Sequence, residues 1–197
     1  MVRAFSEEES KKIYNDLLKK GREFAIEYGY KNTSVDQIIN EVNVSKGTFY
    51  RFFTSKEDFF FKVREEVELE IKTIIGSMFK GKLTKDKIVD NFCEVFELIN
   101  SHNYKVFFDY EELDYLFRKL PENKKKQDLQ NDILAVDNIL RLVGITKINE
   151  EEKEIITGLI RSIFLVSMNG ESIGNEIILK KVIRYQIECF IEYVSKF

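Results

Sequence analysis

The chain has 197 residues, 44% of them hydrophobic and 33% charged, with 31 Lys/Arg against 34 Asp/Glu and a formal net charge of −3. That composition can bury a core, which excludes a disordered chain, and one proline with nine glycines excludes collagen-like or turn-rich all-β sequence. No apolar run approaches the roughly 20 residues of a membrane span, and the opening segment MVRAFSEEESKK lacks an apolar signal core, so a cytoplasmic protein off the membrane is expected.

The dominant period is helical. Ser6, with Glu9 three residues on, forms a capping box for a first helix over 7–28, and Ile13, Leu17, Gly21, Phe24 and Tyr28 share one face at spacings of three and four. Gly29 ends it. Thr33-Ser34 opens a short helix from Val35 to Val42, Asn43-Val44 breaks the chain, and Ser45 opens another short helix to about Phe53. Ser55, with Asp58 three residues on, starts a long helix over 56–79 whose inner stripe is Phe60, Val63, Val67, Ile71, Ile74 and Met78. Further helices are predicted at 85–101, 104–118, 122–143, 150–169 and 175–196, with Gly144 and Gly170 as C-caps. The expected architecture is all-α: a three-helix N-terminal domain over 1–55, then a larger helical domain over 56–197.

Enzyme chemistry is poorly supplied. One histidine (His102) and two scattered cysteines (Cys93 and Cys189) make neither a disulfide framework nor a usual zinc site. GxSxG, HExxH, GxxxxGK[ST] and GxGxxG are all missing. Acidic pairs such as Glu111-Glu112 read as solvated helix face. The expectation is a non-enzymatic protein with no cofactor and no metal. The charge is uneven: residues 1–64 hold 12 Lys/Arg against 10 Asp/Glu, and the other 133 hold 19 against 24. A slightly basic head on an acidic body permits a local footprint on nucleic acid.

The segment GYKNTSVDQIINEVNVSKGTFYRFFTSKED, Gly29 to Asp58, reads as helix, tight turn, helix. A helix-turn-helix lays its second helix in the major groove, so that helix needs an apolar inner side and a polar outer one. Phe49 and Phe53, one turn apart, pack inward; Lys46, Gly47, Thr48, Tyr50 and Arg51 are left to face outward. Gly47 lets the backbone approach DNA closely. Ser45 and Ser55 also read simply as N-caps, and Arg51 as a partner for a nearby carboxylate.

Over residues 9–64, the pattern GY-x-x-TSV-x-x-I followed by VSKGTFYRFF-x-SKED resembles the TetR family of bacterial helix-turn-helix transcriptional regulators. The resemblance implies an N-terminal DNA-binding domain ahead of a helical ligand-binding and dimerisation domain. It implies phosphate contacts from Thr33 and Ser34, base or phosphate contacts from Lys46, Gly47 and Thr48 beside their cap Ser45, and phosphate contacts from Tyr50 and Lys56. Asn43 stands where the family usually has glycine, and it tolerates a left-handed turn. Ala25 stands where a large aromatic is common, leaving volume for Phe24 or the Phe59-Phe60-Phe61 run.

In the body, eight aromatics fall between 92 and 117. They read either as core or as the lining of an apolar pocket drawn from Phe92, Phe96, Phe107, Tyr110 and Tyr115. His102 and Cys93 read as a helix-end residue and a packed thiol, or as contacts to a ligand. The last helix carries two apolar stripes: Leu179, Ile183, Ile187, Phe190 and Val194, and beside them Ile178, Val182, Tyr185, Cys189 and Tyr193. A monomer core needs one stripe, so a dimer interface is expected from Leu179, Ile183, Ile187, Phe190 and Val194 with the small residues Gly158 and Ser162. The functional expectation is a homodimeric regulator, a repressor of double-stranded palindromic operator DNA, released by a small apolar effector. The alternative is a regulator of the same fold controlled by a protein partner or by no small molecule.

Overall fold

The computed structural model of the chain describes residues 5–142, 144–145 and 147–197, and of 127–135, 142 and 171 it describes the backbone alone. Among the described residues every regular element is helical. They are α1 (Glu7–Asn32), α2 (Val35–Val42), α3 (Lys46–Phe52), α4 (Lys56–Met78), α5 (Lys85–Asn100), α6 (Tyr110–Lys119), α7 (Glu122–Leu142), α8 (Glu150–Met168) and α9 (Glu176–Val194), with single 3₁₀ turns at Lys105–Phe107 and Gly170–Ser172.

Local chemistry explains the starts and stops. Ser6 and Glu9 close a capping box on α1, and Ser34 and Gln37 close one on α2. Asn43 ends α2 in the left-handed conformation, φ 56, as a short polar side chain permits. Ser45 caps α3 through the Thr48 N–H, and Ser55 caps α4 through the Asp58 N–H at 3.0 Å. Gly29 breaks α1 with φ 77, but one further turn, 30–32, follows the break. The helix predicted over 104–118 is in fact two pieces. The Asp109 carboxylate accepts the N–H groups of Glu111 and Glu112 and so starts α6 afresh. Residue 143, the predicted end of α7, lies outside the described residues. Gly170 is not a left-handed cap; it lies against the Leu179 side chain, which a Cβ there would have to displace.

The chain divides into two compact units, Met1–Ile71 with His102–Glu122, and Lys72–Ser101 with Asn123–Phe197. This grouping differs from a division at residue 55, because the start of α4 is core of the first unit. Phe59, Phe60 and Phe61 are all fully buried there, along with Val63, Val67 and Ile71. α1 presents Leu17, Leu18, Gly21 and Ala25 to this core, while Tyr28 of the predicted stripe is exposed. A Cβ on Gly21 would run into the Phe59 ring, and Ala25 is itself fully buried. In the second unit Phe92 packs on Phe79 and Phe190, with ring centroids 4.9 and 6.3 Å apart. Asn91, buried, donates to the last carbonyl of α4, Met78, at 2.6 Å.

The second unit corrects the reading of α9. Ile183, Ile187, Phe190 and Val194, taken as a dimer face, are buried within their own chain, and Leu179 is half-buried over Gly170. The neighbouring stripe is the one in solvent, with Ile178, Tyr185 and Cys189 exposed. On α8, Gly158 and Ser162 are exposed, alongside Ile155 and Leu165.

Candidate nucleic-acid interface

α3 is short, and its two sides are sharply different. Phe49 is fully buried against Phe53 and Phe59, with centroids 5.2 and 5.1 Å apart, and Tyr14 of α1 stacks on Phe53 at 5.3 Å. These contacts fix the helix's rotation. Lys46, Gly47, Tyr50 and Arg51 recur at spacings of three and four, so they share the opposite side, and all four are exposed. Tyr50 stands edge-on to Phe49 and is 48% exposed. Among the described residues Arg51 lies over the Phe5 ring at 5.7 Å rather than on a carboxylate. Lys46 Nζ rests on Asp36 of α2 at 3.0 Å, and that hydrogen bond holds the ammonium above its ordinary pKa. The pair is open to water, so the charge remains available to an incoming anion. A Cβ on Gly47 would meet only Ser45 Oγ, at 3.7 Å, so nothing in the protein's own packing demands glycine there. Ser34, at the start of α2, is exposed on its cap.

Residues 17–63 match the family described as bacterial regulatory proteins, tetR family. The chain carries a TetR-family helix-turn-helix domain. Among curated proteins, it is 30% identical over 66 residues to the transcriptional regulator AcuR of Cereibacter sphaeroides, a match covering 34% of this chain and 30% of AcuR. It is 22% identical over 160 residues to the transposon Tn10 TetC protein of Escherichia coli, covering 80% of this chain and 66% of TetC. The chain thus spans less than two thirds of either relative. The crystal structure of the transcriptional regulator FadR from Bacillus subtilis, in complex with stearoyl-CoA, superposes with a TM-score of 0.59 at 22% identity, over 90% of this chain and 97% of that one. The fold of the chain, helix-turn-helix head and helical body, is that of TetR-family proteins.

Within the TetR-family domain, three of the residues assigned to DNA have their polar groups engaged by the chain itself. Thr33 is buried, and its hydroxyl donates to the carbonyls of Gly29 and Phe24 at 2.8 and 3.2 Å. Thr48, only 8% exposed, bonds to Ser45 Oγ at 2.9 Å; it follows Gly47 around to the inner side. Lys56 points back across α1, donating to the carbonyls of Tyr30, Lys31 and Thr33 at 2.9, 3.2 and 2.8 Å. Unpaired carbonyls at a helix C-terminus are favourable partners for an ammonium. Ser45 is exposed, with its hydroxyl engaged in capping.

The five aromatics expected to line a pocket fall in both units. In the second, Phe92 and Phe96 of α5 are buried. In the first, Phe107 is fully buried with its ring 6.1 Å from that of Tyr30. Tyr115 lies between the Lys56 and Lys119 ammonium groups and donates to Glu57 at 3.4 Å. Tyr110 is 76% exposed, because as the first residue of α6 its ring points to solvent. A groove of about 400 Å³ in the first unit is lined instead by Asn15, Leu18, Lys19, Arg22, Val63, Glu66 and Val67. Among the described residues no helix is long and apolar enough to cross a membrane, and no three His, Cys, Asp or Glu are grouped to hold a metal.

One residue escaped the sequence entirely. Glu112, read as solvated face, accepts the backbone N–H of Tyr30 at 2.6 Å and of Lys31 at 3.3 Å, across 82 and 81 residues. Its only sequence signals were the glycine that makes room for it and the Asp109 cap that aims it.

Proposed function

We propose that the protein is a transcriptional regulator that binds palindromic operator DNA as a homodimer, represses from it, and is released by a small apolar effector. The observation that carries this reading is the outer side of α3. Lys46, Gly47, Tyr50 and Arg51 form an exposed surface with charge, a hydroxyl and a position where the backbone can come close. Such a surface suits base edges and phosphates in a major groove. Ser34 adds a hydroxyl at the start of α2.

Dimerisation is supported by the exposed strip of α8 and α9, which includes Gly158, Ser162, Leu165, Ile178 and Tyr185. Two-fold symmetry then pairs two α3 helices with two half-sites. Residues 1–55 carry DNA contact and 56–197 sensing and assembly. The stearoyl-CoA in the FadR structure supports an apolar effector, with Phe92 and Phe96 among its contacts. The dense packing of Phe92 and Phe107 against other rings favours the second reading, a regulator controlled by a protein partner or by no small molecule. Selection of duplexes from a random library by the purified protein tests the first claim. A palindrome should emerge, and Tyr50→Phe should bind it more weakly. Enrichment of no duplex refutes the reading. A thermal-shift screen of acyl and aromatic compounds, followed by operator titration, separates the two readings.

A further inference from the structure

The backbone between α1 and α2 is held from two sides. Gly29, with φ 77 and ψ 168, interrupts α1, so the N–H groups just after it lose their usual carbonyl partners. Glu112 of α6 takes them: Oε2 accepts from Tyr30 and from Lys31. From the other side Lys56 of α4 takes the carbonyls of Tyr30, Lys31 and Thr33. Ser34, the next residue, caps α2. Each jaw is itself fixed. The Glu112 N–H is tied to Asp109 at 3.1 Å, and a Cβ on Gly29 would stand 2.4 Å from Glu112 Oε1, so the carboxylate occupies space that only glycine leaves. Tyr30 anchors the same segment by its fully buried ring, whose centroid lies 5.1 Å from that of Phe60.

We propose that Glu112 is a positioning residue for DNA recognition, the α6 jaw of a carboxylate–ammonium clamp that sets where residues 30–33 deliver the helix-turn-helix. A neutral cap would satisfy the freed N–H groups equally well. What the glutamate adds is a bond from α6 to the backbone five and four residues before the start of α2, which ties the placement of the helix-turn-helix to that of α6.

The inference rests on the DNA-binding reading, and its test keeps the two apart. Wild type and three variants are titrated against the duplex that wild type selects, and amide exchange is followed at Tyr30 and Lys31. Glu112→Ala removes the acceptor, Glu112→Asp keeps the charge but withdraws it by one methylene, and Glu112→Gln keeps the reach without the charge. Ala and Asp should each lose about tenfold or more in operator affinity, the scale of a lost hydrogen bond to a charged group. Gln should stay within about threefold of wild type, since a neutral acceptor retains about half of such a bond. Exchange at Tyr30 and Lys31 should quicken in Ala and Asp, while α9 amides keep their wild-type rates. Should the Ala variant fail to fold, Asp against Gln carries the same contrast. Wild-type affinity in the Asp variant, or a loss in Gln as large as in Ala and Asp, overturns the clamp while leaving DNA binding intact. A wild type that selects no duplex overturns both.

Discussion

Lys46 and Lys56 both stand at the start of a helix, yet their ammonium groups have different partners, and salt dependence distinguishes a lysine that meets DNA from one that positions the backbone. Lys46 is exposed and held only by Asp36, whereas Lys56 has its ammonium on three backbone carbonyls. Each phosphate neutralised on duplex DNA contributes about 0.9 to the slope of log affinity against log salt. In a dimer Lys46→Ala removes two such contacts, so the slope should flatten by about 1.8. Over the fourfold range from about 50 to 200 mM salt, the ratio of wild-type to variant affinity should then shrink roughly twelvefold. Lys56→Met keeps the stem but strips the three donors. It should weaken binding by a factor that is the same at every salt concentration, because the loss is of positioning rather than of a phosphate. Fluorescence anisotropy on the selected duplex at five salt concentrations makes the measurement. A flattening of about 1.8 for Lys56→Met would show that the lysine leaves its carbonyls for DNA, and an unchanged slope for Lys46→Ala would refute the outward assignment of α3.

Two glycines should separate folding from recognition: Gly21→Ala drives a Cβ to 2.3 Å from the buried Phe59 ring and should cost about 1–3 kcal/mol in urea unfolding. Gly47→Ala meets nothing closer than 3.7 Å; it should gain about 0.5–1 kcal/mol of helix stability while binding operator less well. Glu70 accepts from Arg22 and Tyr104, and those hydrogen bonds, Arg22's first, hold its carboxyl below the ordinary range. Its contribution is present above the unfolded pKa of about 4.3 and is lost as pH falls through the lower folded value. Denaturation midpoints of wild type and Glu70→Gln should therefore differ at pH 7 and converge in acid, and a gap that widens in acid refutes this. On α9, Tyr185→Asp, at a side chain 66% exposed, should halve the mass seen by light scattering and leave the subunit folded. Phe190→Asp, at 4% exposure, should instead unfold it, since an unpaired charge would be buried.

What was legible in the sequence was local. α2 starts and ends where Ser34, Gln37 and Asn43 said it would, because capping chemistry is complete within four residues. The inner side of α3 was legible for the same reason: Phe49 and Phe53 leave a seven-residue helix only one way to face. The errors arose where a residue had two local uses and a distant partner decided between them. Thr33 and Thr48 are hydroxyls at helix starts, equally able to meet a phosphate or a carbonyl; packing of α1 and α3 turned them inward. Lys56 met carbonyls 23 to 26 residues away, and Glu112 met N–H groups 81 and 82 away. Spacing along one helix contains nothing about either.

α9 shows the same limit in apolar form. Its two stripes were both visible, since periodicity measures the angle between residues. Periodicity carries no reference direction, however, and the stripe chosen as the dimer face proved to be the core. The small residues could have decided the matter. Gly170 leaves room for Leu179, and that placement commits the Leu179 stripe to its own subunit. Gly158, by contrast, has nothing within 4 Å of where its Cβ would stand. A glycine whose missing Cβ is replaced by its own chain lies on an internal face, and one left open on a helix leaves its backbone accessible to a close approach from outside. By that criterion Gly47 on α3 and Gly158 on α8 are alike: each weakens its helix by roughly 0.5–1 kcal/mol relative to alanine without an internal neighbour that requires it. The first is the position proposed to meet DNA and the second the position proposed to meet another subunit. Gly158→Ala, which should stabilise the isolated helix, is therefore expected to weaken dimerisation in sedimentation equilibrium, and an unchanged association constant would remove the case for α8 as a contact helix.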